Sequence, residues 1–136
     1  MSSLKTFAIA GISSLILPTL AAALPEKATD RVQVFATCAG RLSALEESQR
    51  LFEGPLSEKT ATRRDMFSLL VDATLPDAKD EGLNGRTALH WRVEAKMAQA
   101  VLLQQAMFGT DPLRSAQAQT AADQHIATCE QLLLGA

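Results

Sequence analysis

Two cysteines, Cys38 and Cys129, constrain this chain most, because a bridge between them would tie together nearly the whole of what folds. Whether they pair depends on the compartment, and the first residues speak to that. Lys5 supplies a positive start, Phe7 to Leu17 is an uncharged apolar run, Pro18 breaks it, and Ala21-Ala22-Ala23 offers an Ala-x-Ala cleavage site. This pattern predicts a signal peptide over 1–23, cleaved after Ala23, followed by a single domain over 24–136. A spanning helix wants ~20 apolar residues. The run here is shorter and is interrupted by Ser13, Ser14 and Pro18, and no second run follows. No stable membrane span is therefore expected after cleavage. An exported chain meets an oxidising compartment, where an even cysteine count reads as a disulfide. The expected location is the periplasm, with full secretion as the alternative.

Beyond the leader, four segments show helical periodicity, and strand signals are absent: Val and Ile are few, Tyr is missing and no run alternates. The first segment runs from about Asp30 to Glu53, with Thr29 or Asp30 as cap; Val34, Phe35, Cys38, Leu42, Leu45 and Phe52 share one face. Gly54-Pro55 ends it. The second runs from about Ser57 to Thr74, closed by Leu75-Pro76. A loop is expected from Pro76 to Gly85. The third segment runs from about Arg86 to Phe108. The fourth opens with a cap and a first-position proline, Asp111-Pro112, and continues to about Leu134.

Short connections predict an all-α, up-down-up-down four-helix bundle, in which the first and last helices run antiparallel. Cys38 lies about eight residues, or ~12 Å, into the first. Cys129 lies about five residues, or ~8 Å, from the end of the last. The heights nearly match, so one disulfide is expected to link the first and last helices. Closing a loop of 91 residues is worth ~4.6 kcal/mol by chain-entropy arithmetic. The Cys-x-x-Cys spacing of catalytic pairs is missing, so the bridge is expected to be structural.

Composition narrows the function classes. Hydrophobic residues at 47% supply a real core, and a net charge of -2 supplies no basic stripe for a phosphate backbone, so no nucleic acid is expected as partner. There is no Cys-x-x-Cys-His for covalent haem, no Glu-x-x-His for a di-iron bundle, and no Gly-rich phosphate loop or Gly-x-Ser-x-Gly elbow. No catalytic residues, cofactor or complete metal site is read from the chain, and a non-enzymatic protein is expected.

Several residues remain candidates. His90 and Glu94 share a face at four-residue spacing, and His125 lies on the apolar seam one turn before Cys129. Each is a weak ligand candidate beside a plainer reading as an ion pair or a hydrogen-bonded core histidine. Met66, Met97 and Met107 with His125 leave room for noncovalent haem. Lys59, Arg63 and Arg64 read as a solvated basic face. Asp77, Asp80 and Glu81 supply acids, but Lys79 occupies a position that an EF-hand loop needs for a ligand.

The third helix carries two apolar stripes on nearly opposite sides. One is Leu89, Val93, Met97, Ala100 and Met107; the other is Trp91, Ala95, Ala98, Leu102 and Ala106. An ordinary bundle helix needs one. Either this helix is central and buries both, or one is an interface, and Trp91 with Ala95, Ala98 and Leu102 is the candidate. The reading is an envelope accessory or interaction module that meets another protein or a second copy of itself. The alternative is a periplasmic carrier of a small molecule, metal or haem between the helices.

Overall fold

A computed structural model of the chain describes residues 24–134; the segment read as a signal peptide, 1–23, lies outside the described residues, as do 135 and 136. Four helices make up the fold: α1 (Ala28–Arg50), α2 (Gly54–Asp80), α3 (Gly85–Phe108) and α4 (Pro112–Leu134). Among the described residues there is no strand.

The core contacts give the directions. Along α1, Val32 packs near Ala78 and Ala88, Phe35 and Leu42 near Phe67, and Ala44 near Leu103 and Ala122. Residue numbers therefore rise together in α1 and α3 and oppose each other in α1 against α2 and α4. The bundle is up-down-up-down. Cys38 and Cys129 are bridged, with their Cα atoms 5.6 Å apart, and the bridge joins the first and last helices.

The centre of the bundle is α1. It packs against α2 and α3 along its length and against α4 more narrowly, while α4 leans chiefly on α3. Eleven of its 23 residues are buried, far more than in any other helix. What allows parallel α1 and α3 to lie side by side is Gly40. A Cβ there would overlap the Arg92 carbonyl, which only a glycine backbone can approach this closely. Of the two alternatives read for α3, a central helix that buries both stripes is not what is found: the small residues Ala36, Ala39, Gly40, Ser43 and Ala44 give the central position to α1.

Two element boundaries also differ from expectation. α2 does not stop at Leu75-Pro76 but continues through Pro76 to Asp80. Proline removes one intrahelical bond, yet the next turn brings Ala78 into full burial against Ala28 and Val32. The real stop is Gly82, at φ +100°, where Gly82 N–H bonds the Lys79 carbonyl and Leu83 N–H the Ala78 carbonyl. That pair of bonds is a Schellman motif, and it favours glycine at the left-handed position. The expected long loop shrinks to 81–84. At the other boundary α1 ends at Arg50, and Gly54 and Pro55 open α2.

Neither Thr29 nor Asp30 caps α1 with its side chain. The cap comes from Glu81, brought in by the short α2–α3 connection. Its carboxylate accepts from Ala28 N (3.0 Å), Thr29 N (2.8 Å) and Thr29 Oγ1 (2.9 Å). These bonds, led by that from the Thr29 backbone, hold its carboxyl below the usual carboxylate range. α4 is capped as the sequence suggests, Asp111 Oδ1 accepting from Leu113 N at 2.9 Å.

Candidate functional site: the outer face of α3

With α3 laid on α1 and α4, its inward arc carries Ala88, Gln99 and Leu103. The Trp91 stripe flanks that arc. Trp91 is half-buried and packs against the cluster of Ala28, Val32, Ala78 and Ala88. Leu102 is half-buried against Ala44, Leu103 and Ala122, Ala95 is half-buried, and Ala98 is exposed. The opposite stripe is open. Leu89, Val93, Met97 and Val101 retain 62, 50, 59 and 61% of their surface, four residues apart over three turns. Val101 extends the row beyond the stripe read from sequence, whose Ala100 turns toward the core.

Four apolar side chains in line, half or more exposed, form the candidate surface. Beyond exposed Gln104 and Gln105 lies the pole where α1 and α3 end and α2 and α4 begin. There Leu51, Phe52, Phe108 and Leu113 are also exposed.

The polar candidates fall apart in space. His90 and Glu94 form an exposed pair on the outer side of α3, Nε2 to Oε2 3.6 Å. His125 is engaged elsewhere: its Nδ1 lies 3.2 Å from Gln99 Oε1, about 13 Å further along α3 from His90. Among the described residues no three His, Cys, Asp or Glu side chains gather as a metal site would require. Met66 and Met97 are exposed on different helices, and Met107 lies against Ser48 Oγ, its Sδ 3.5 Å away.

Gln99 is the most informative buried polar residue. Its Nε2 donates to the Ala122 carbonyl at 3.1 Å, so its Oε1 is left to accept. His125 therefore donates from Nδ1, and in its neutral form the ring carries its proton on that nitrogen. Burial, and then the nearby charge of Arg41, push the His125 pKa down. Burial without a carboxylate partner likewise lowers the Arg41 pKa.

The basic start of α2 is spent on structure. Arg64 and Arg50 both hold buried Glu46, the latter at 2.6 Å, and Arg64 also meets Asp65 at 2.8 Å. Arg63 pairs with Glu130 on α4, and Lys96 binds Glu47 at 2.6 Å, tying α3 to α1. Lys59, the third basic candidate, is exposed and has no ion-pair partner among the described residues.

Compared with known proteins, the chain matches no family model, no curated protein and no solved structure. The class is therefore defined by its own residues: among the described residues, a disulfide-stapled, four-helix chain with an exposed apolar row on α3. No helix among the described residues is long and apolar enough to cross a membrane.

Proposed function

We propose that the protein is an exported, non-enzymatic interaction module of the cell envelope that docks another protein through the outer face of α3. The observation that carries this reading is the open row Leu89, Val93, Met97 and Val101. It runs over thirteen residues, a rise of ~18 Å, the length over which a partner helix lays down three turns of side chains. The docking face thus lies on the first stripe, while Trp91 and Leu102 support α3 from behind. The leader-like pattern over 1–23 and a disulfide that needs an oxidising compartment support export, to the periplasm or beyond it.

The test is the double substitution Val93→Glu, Met97→Glu. Both side chains are exposed, so the melting temperature should move by no more than a few degrees. The complex the protein forms in its host envelope, followed by its sedimentation, should disperse to the free chain. Trp91→Ala should do the reverse, lowering the melting temperature while leaving the complex intact at permissive temperature. A complex that survives both glutamates removes α3 as the docking face.

A further inference from the structure

α2 rests on α1 and does not pack along α4; the Arg63–Glu130 ion pair spans the space between them. Toward the pole where α2 begins, this leaves an open cleft of about 580 Å³ among α1, α4 and the ends of α2 and α3. Leu45, Leu103 and Ile126 form its floor, and Phe52 and Leu56 stand at its mouth. Its polar lining includes three carboxylates, Glu53, Asp123 and Glu130, and no Lys or Arg.

The sign of the cleft follows from how those carboxylates are occupied. Glu130 is held by Arg63. Asp123 accepts only the Gln119 amide, at 2.8 Å, and Glu53 has no cationic partner among the described residues. Two helices end and two begin at this pole, so the helix dipoles largely offset one another and the side chains set the potential. The volume lies within the range of small-ligand sites, which pair an apolar lining with a few placed polar groups.

We propose that this cleft binds a cationic amphiphile of small-molecule size. Its alkyl or aryl body would lie on Leu45, Leu103 and Ile126, and a primary ammonium would face Asp123 and Glu53. This site is separate from the outer face of α3, and its failure would leave the docking reading standing.

The test is a two-dimensional amide NMR titration of the purified chain with n-octylammonium and, separately, with octanoate, both below their aggregation concentrations. Octylammonium should shift Leu103, Asp123 and Ile126 saturably and bind roughly fivefold more tightly than octanoate. The double variant Asp123→Asn, Glu53→Gln should bring the two ligands to equal affinity. Equal affinity in the unsubstituted chain overturns the proposal without any variant. So do strongest shifts along Leu89 to Val101, which would report general attraction of apolar molecules to the open face.

Discussion

Burial of His125 at the α3–α4 contact, beside Arg41, couples the fold to a proton. The Gln99 side chain is buried and must satisfy both ends of its amide, one on the Ala122 carbonyl and one on the imidazole. The folded pKa of His125 lies below its unfolded value of about 6.5. The unfolded state therefore binds the extra proton first, and stability falls as pH drops. The contribution is complete above about pH 6.5, declines as pH moves down toward the folded pKa, and then levels off. Thermal melts of the unsubstituted chain between about pH 7.5 and about pH 5 should show a fall that His125→Gln lacks. An equal fall in both would assign the pH dependence to other groups. His125 was visible in the sequence as a seam residue; its partner was not, because Gln99 joins α4 only once α3 has a fixed rotation. Gly40 carried a signal that went unread. A glycine within a helical run costs about 1 kcal/mol against alanine and usually has a packing reason, here the Arg92 backbone.

At the level of the helix, periodicity identifies all four elements, and the start of α4 falls where its cap, Asp111, stands. The errors come where tertiary contact overrides local chemistry. Pro76 reads as a stop, yet burial of Ala78 outweighs one missing hydrogen bond. Pro76→Ala should then raise stability by about 1–3 kcal/mol in denaturant melts, since an interior helix position favours alanine over proline by about 3 kcal/mol, less any relaxation of the present helix. A loss of stability would show that Pro76 holds a shape the bundle needs. The two stripes of α3 were equally plain in the sequence, but which of them faced outward was not. In the sequence the tryptophan side is the candidate interface, because Trp is enriched at interface hot spots and small residues flank it. The rotation is set by small residues on α1, which admit the Ala88, Gln99 and Leu103 arc and leave the aliphatic row outside.

For the molecule as a whole, the disulfide joins α1 to α4 inside the core cluster of Phe35, Leu42, Phe67 and Ile126, across a narrow helix–helix contact. α4 rests mainly on α3, and its contact with α1 is narrow, so the bridge adds a covalent tie to the few buried side chains that join them. The antiparallel heights of Cys38 and Cys129 made this pairing legible from sequence. Replacing both by alanine should cost about 2–5 kcal/mol. Hydrogen exchange in that variant should quicken first in α4, while the α1–α2 pair keeps its protection. Uniform loss of protection would mean that the bridge stabilises the fold as one cooperative unit.

The central claim is that the outer face of α3 is a docking surface. It is tested most directly by placing a photocrosslinking amino acid in the native host, one site at a time, at Val93, Met97 and Val101, with Leu69 on α2 as an exposed apolar control. The account predicts one discrete crosslinked protein species shared by the three α3 positions and absent at Leu69. No crosslink at α3, or the same species at Leu69 and α3 alike, would contradict it.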